Sequence, residues 1–200
     1  MRSGCCTLGR AEKKARREGR TIALWDETGH TFRIRLNATW ARRGETPVVR
    51  RMSAGLSRRR EVSSLVVVTP AGQLYARHQT GTVNTRAVLA ALPYLRRQLA
   101  TPLLIIWDRL NKGLHAHRSR AVQQFVAAHT TDYALEYLPA YAPELNPEEQ
   151  ANAWVKRAMA NALPGSITEL AALARASFRR LQHQPALIRH FFQHAGLAVG

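Results

Sequence analysis

Apolar residues along this chain fall into short runs separated by polar punctuation, and two of those runs end on an acid. Ile22-Ala23-Leu24-Trp25 leads into Asp26, and Leu103-Leu104-Ile105-Ile106-Trp107 leads into Asp108. Continuous apolar runs of this length read as buried strands. They predict strands over Thr21 to Asp26 and Leu103 to Asp108. Thr31 to Leu36 sets Phe32, Ile34 and Leu36 against Arg33 and Arg35, the period of two of a half-exposed strand. Val62 to Thr69 reads as a central strand, Pro70-Ala71-Gly72 as a turn, and Gln73 to His78 as the returning arm of a hairpin. Ala134 to Leu138 is a further short strand.

The remaining pattern is helical. Asn84 to Leu99 repeats Val88, Leu89, Leu92, Leu95 and Leu99 at helical spacing, with Asn84 or Thr85 as cap and Pro93 as a candidate kink. His117 to His129 forms the next helix. After the rigid Pro139-Ala140-Tyr141-Ala142-Pro143, Asn146 caps a helix with Pro147 at its first position. That helix reaches about Leu163, where Pro164-Gly165 breaks it. Ser166 to Gln182 and Pro185 to Gln193 complete the series, and residues 10 to 18 form a charged helical lead-in ending at Gly19. The order of strand, long insertion, hairpin, helix, strand, helix, strand and helices predicts an α/β fold: a mixed sheet with flanking helices. We expect a partly flexible lead-in over 1–20, one domain over 21–165, and helices over 166–200 packed on it.

The charge balance is more unusual than the overall composition. The 200 residues hold 30 Lys+Arg against 13 Asp+Glu, a net +17, which attracts polyanions. Nucleic acid is the expected partner and a membrane surface the competing one. No apolar run approaches the roughly 18 residues of a spanning helix, and no signal-peptide core stands at the N-terminus, so the expected location is the cytoplasm. Cys5 and Cys6 have no further cysteines to join them in a zinc site and read as inert thiols.

Acids gathered at strand tips and a helix start are costly unless something positive sits among them. A divalent metal is the natural partner, since Mg²⁺ binds through one or two carboxylates with phosphate oxygens and water. Asp26 suits a bridging position, Asp108 its neighbour on an adjacent strand, and Glu148 or Glu149 the third. Those two glutamates point about 100° apart on a helix, so one of them faces the metal. Glu27 beside Asp26 poses the same alternative. Such a set points to phosphodiester chemistry. Asp132 and Glu136 read as solvated.

At these residues the chain resembles the DDE-type transposases of bacterial insertion sequences, the mariner-related group. The resemblance rests on Trp25-Asp26-Glu27-Thr28-Gly29, on Trp40-Ala41-Arg42-Arg43-Gly44-Glu45-Thr46-Pro47, and on Ile106-Trp107-Asp108 followed by His115. Its most specific part is Tyr137 to Glu149, and the matches together span about 11 to 165. It implies an RNase H-like catalytic domain with two Mg²⁺ (or Mn²⁺) ions that cuts transposon ends and joins them to target DNA. Carried over by position, the acids are Asp26, Asp108 and Glu149, the last from the pattern asparagine-proline-any-glutamate. Lys156 sits where the family commonly has lysine.

Three departures are visible. Asn152 replaces an aromatic, with Trp154 two places on. Forty residues separate Asp108 from Glu149, more than is usual in the family. No helix-turn-helix module precedes Arg10, so the expectation is a catalytic subunit or fragment, with a separate helix-turn-helix subunit or reading frame as a further expected partner. Further DNA contacts are expected from Arg42, Arg43, Arg50, Arg51, Arg58, Arg59, Arg60, Lys112, His115 and Lys156. Trp40 either joins them or packs on the sheet. The expected partners are double-stranded DNA and a second copy of the chain in a homodimer. The competing functions are a stand-alone RNase H-like nuclease and a non-catalytic DNA-binding remnant or regulatory partner.

Overall fold

The computed structural model describes residues 3–32, 37–47, 61–107, 119–138 and 146–196, with side chains from residue 9 onward. Five strands form one sheet in the order β3-β2-β1-β4-β5. They are β1 (Thr21–Thr31), β2 (Glu61–Val68), β3 (Leu74–Thr80), β4 (Leu103–Trp107) and β5 (Tyr133–Tyr137). β1 pairs antiparallel with β2, and β2 with β3. β1 pairs parallel with β4, and β4 with β5. The helices are α1 (Ser3–Glu18), α2 (Thr85–Leu99), α3 (Arg120–Ala128), α4 (Pro147–Ala158), α5 (Ile167–Gln182) and α6 (Pro185–His194). The fold is the expected RNase H-like mixed sheet with flanking helices.

Side-chain alternation sorts the strands onto two faces. Ile22, Leu24, Val62, Val66, Leu104 and Ile106 pack with α1, α4, α5 and α6, where Phe178, Leu181 and Phe192 are also buried. Ala23, Trp25, Leu65, Val67, Ile105 and Trp107 pack with α2 and α3. β4 is buried on both faces, which explains its unbroken apolar run. Capping fixes the helix starts: the side chains of Asn84, Ser119, Asn146 and Ser166 each accept a backbone N–H from the first turn.

Several expectations change in detail. Asp26 does not end its strand: β1 continues to Thr31, because β2 pairs with it along Leu24 to Thr31. The strand expected over Thr31 to Leu36 falls largely on residues 33–36, outside the described ones. α2 runs unbroken through Pro93, which points to solvent. α1 begins at Ser3 and buries Ala11 and Ala15 against the sheet. Glu136 and Asp132 are paired rather than merely solvated. Lys14 Nζ donates to Glu136 at 2.6 Å, and Arg96 Nε donates to Asp132 at 2.7 Å. No helix among the described residues is long and apolar enough to cross a membrane.

Candidate active site

The parallel register between β1 and β4 sets the site. It places Trp25, which precedes Asp26, beside Trp107, which precedes Asp108 in the sequence. The two indoles meet edge to face, with centroids 5.8 Å apart and planes at 65°. Both are buried beneath α2 and α3, so they stiffen the sheet behind the acids. Asp26 follows on the opposite face, toward α4, and its Oδ1 accepts the Glu27 backbone N–H at 2.7 Å.

α4 supplies the facing wall. Its buried stripe is Glu148, Ala151, Asn152 and Val155, continuing to Met159. The Asn146 side chain accepts the Glu148 N–H at 3.1 Å and fixes the first turn. Glu148 is 0% exposed, with its Oε1 accepting a hydrogen bond from Asn152 Nδ2. Its carboxyl also lies within hydrogen-bonding reach of Asp26. Burial first, and the Asp26 charge second, hold Glu148 well above the usual carboxylate range; the Asn152 bond offsets this only in part.

Two carboxylates cannot bond to each other without a proton or a cation between them. Glu148 Oε2 and Asn152 Oδ1 are both buried and accept no hydrogen bond. Asp26 and Glu149 on the adjoining pocket wall offer hard carboxylate oxygens of the kind that Mg²⁺ or Mn²⁺ takes, with the Asn152 carbonyl oxygen beside them, so the residues present fit a divalent ion.

An open pocket of about 580 Å³ lies alongside, lined by Asp26, Glu27, Thr28, Asn37, Glu149, Asn152, Ala153, Lys156 and Arg157. The structure therefore brings together Asp26, Glu149 and Lys156 from the sequence expectations. Arg42 and Arg43 are exposed on the segment 37–47, whose first residue is a pocket wall. Trp40 does not pack on the sheet. Asp108, Arg50, Arg51, Arg58, Arg59, Arg60, Lys112 and His115 lie outside the described residues. Among the described residues no group of three or more His, Cys, Asp or Glu forms a metal cluster.

Sequence reasoning missed Arg157, Asn37 and the burial of Glu148. It also missed a second polar cluster below the site. His30 Nε2 lies 3.1 Å from Ser64 Oγ, which lies 2.8 Å from His78 Nδ1. Both rings lean on Phe178, at centroid distances of 5.8 and 5.4 Å. Burial pulls both imidazoles down to about 4, and the Lys156 charge adds to the effect on His30. One serine hydroxyl thus joins two neutral rings, donating to one nitrogen and accepting from the other.

The sequence pattern of the DDE superfamily endonucleases matches residues 21–171. Among solved structures, the mariner Mos1 paired-end complex with Mg has a TM-score of 0.60 at 17% identity, covering 98% of this chain and 62% of that one. The Mos1 strand transfer complex gives 0.57 at 18%, covering 98% and 61%. The Mos1 paired-end complex with the left transposon end gives 0.56 at 17%, again covering 98% and 61%. These likenesses establish the fold, and the chain spans about three fifths of the Mos1 chains it matches. A comparison with curated proteins gives no match. With an acid-lined pocket between β1 and α4 and a pattern match running from the start of β1 into α5, the chain belongs to the DDE superfamily of endonucleases.

Proposed function

We propose that this chain is the catalytic part of a DNA transposase, which cuts transposon ends and joins them to target DNA by divalent-metal-dependent phosphoryl transfer. Asp26, Asp108 and Glu149 hold two Mg²⁺ or Mn²⁺ ions. When bound, these supply charge relief at the oxygens of the scissile phosphate. The observation that most supports this reading is the pocket in which Asp26 and Glu149 face the cations of Lys156 and Arg157. Acids beside bases suit a phosphodiester: the carboxylates address the reacting centre and the cations address neighbouring phosphates. Asp108 enters through chain continuity, since it follows Trp107, whose partner Trp25 precedes Asp26.

The protein's own groups do the rest. Asp26 is fixed by the Glu27 amide and by the stiff central strand, so its carboxylate needs little reorganisation. Lys156 and Arg157 lie about two helical turns beyond Glu149 on the pocket wall, where they position a phosphate strand crossing the pocket. Arg42 and Arg43, with Arg50, Arg51, Arg58, Arg59, Arg60, Lys112 and His115, extend the positive surface along the DNA. Two copies of the chain, each acting at one transposon end, complete the reading, and a helix-turn-helix unit would read those ends.

The test uses supercoiled plasmid with Mg²⁺ or Mn²⁺ and, separately, a duplex carrying a free 3′-hydroxyl. Wild-type protein should nick the plasmid and join the duplex to it. Asp26→Asn and Glu149→Gln should each abolish both reactions while binding DNA as wild type does. Nicking that survives Asp26→Asn would overturn the assignment, and hydrolysis without joining would reduce the protein to a nuclease.

A further inference from the structure

Trp40 is 99% exposed, whereas Trp25 and Trp107 are buried. An indole held wholly in water forgoes the burial that its large apolar surface normally finds. The segment carrying it is anchored at Asn37. Asn161, just beyond α4 and in the left-handed conformation (φ 62°), clasps Asn37 twice. Its Oδ1 accepts the Asn37 N–H at 2.9 Å, and its Nδ2 donates to the Asn37 carbonyl at 3.0 Å. Asn37 is itself part of the pocket wall with Asp26 and Glu149. Trp40 stands three residues further on, within about 10 Å of chain from that anchor. The Glu45 N–H bonds to the Arg42 carbonyl at 2.9 Å, and Gly44 (φ 88°) closes this turn. Arg42 and Arg43 are exposed beside the indole.

We propose that Trp40 stacks on an unpaired base of the DNA at the mouth of the acid pocket, with Arg42 and Arg43 on the flanking phosphates. The inference rests on the reading of the pocket as a DNA-cleaving site. A planar aromatic group flanked by cations is the pairing that single-stranded nucleic acid selects: every base has a face to stack on, and the cations track the backbone. Charge complementarity favours a polyanion as occupant, since Arg42 and Arg43 stand exposed beside the indole on a chain of net +17. The Asn161 clasp on Asn37 keeps the indole within a few residues' reach of the acid pocket, so stacking would help set which phosphate enters it.

The test compares two hairpin duplexes of equal length and charge, one fully paired and one with a two-base unpaired flap, titrated without divalent metal. Wild-type tryptophan emission should be quenched by the flap substrate, since Trp40 is the fully exposed indole. Trp40→Ala should lose that quenching and bind the flap substrate about tenfold more weakly, with affinity for the paired duplex unchanged. Trp40→Phe should recover most of the loss, which a merely structural role would not predict. Equal flap affinity of Trp40→Ala and wild type would overturn the inference while leaving the nicking result standing. A change in sedimentation mass on Trp40→Ala would overturn it in favour of an interface between copies. Wild-type protein that binds neither hairpin would overturn both the inference and the transposase reading.

Discussion

The His30–Ser64–His78 chain makes the stability of this protein steeply dependent on pH, and the sign can be worked out. In the unfolded chain each imidazole titrates near 6.5; in the fold both are pulled down to about 4. Between those values the unfolded state binds protons that the folded state refuses, so stability falls as pH falls from 6.5 to 4. Above 6.5 both states are neutral and these rings contribute no slope. A difference of about 2.5 pH units corresponds to roughly 3.4 kcal/mol for one ring. The second ring adds less than the same again, because His78 is partly exposed and the two share one hydroxyl. The sum, about 3 to 7 kcal/mol, compares with a typical total of about 5–15. Urea unfolding followed by far-UV circular dichroism at pH 7.5, 6.5, 5.5 and 4.5 measures it. Wild type should lose stability across that range more steeply than the double variant His30→Gln/His78→Gln, by up to about 2.7 kcal/mol per pH unit. Carboxylates titrate in both proteins and cancel. Equal slopes would refute the reasoning and show that the buried rings accept protons without cost.

Three further outcomes follow from the same coordinates. Glu148 has the opposite sign: its folded value is raised, so its contribution is lost as pH rises above the unfolded carboxylate range. Glu148→Gln should therefore melt higher than wild type at pH 7.5 in EDTA, and an unchanged or lower melting temperature would contradict the burial argument. Gly72 sits at φ 87°, and a Cβ there would meet the Pro185 carbonyl oxygen at 2.5 Å. Gly72→Ala should cost at least about 1 kcal/mol in urea unfolding, by strain at the turn and displacement of α6. DNA affinity should fall linearly on a log–log plot against salt, and Lys156→Ala should make that slope shallower by about one. An unaltered slope would remove Lys156 from the phosphate contacts.

Much of the architecture was legible in residue spacing. The run from Leu103 to Trp107 could only be a strand buried on both faces, and Asn146-Pro147 marked a helix start that the structure places there. The end of β1 was not legible, because Asp26 and Glu27 interrupt the apolar run while β2 pairs straight past them. In the site, the orientation of α4 was available but unread. Ala151, Val155 and Met159 lie three, seven and eleven residues beyond Glu148, which puts that glutamate on the buried stripe and turns Glu149 toward Asn152, Ala153 and Lys156. The histidine pair was not legible: His30 and His78 are 48 residues apart, and only strand register lays both against Ser64.

The superfamily match stops at Ala171, partway along α5, whereas the hydrophobic interior does not. Ala174, Phe178, Leu181, Ile188 and Phe192 all lie past that point, and they roof the underside of β1, β2 and β3. A gene fragment trimmed to the recognisable motif would therefore translate into a polypeptide with part of one sheet face uncovered, prone to stick to its neighbours before it ever met DNA. For this protein, the recognisable sequence pattern ends before the interior it belongs to does.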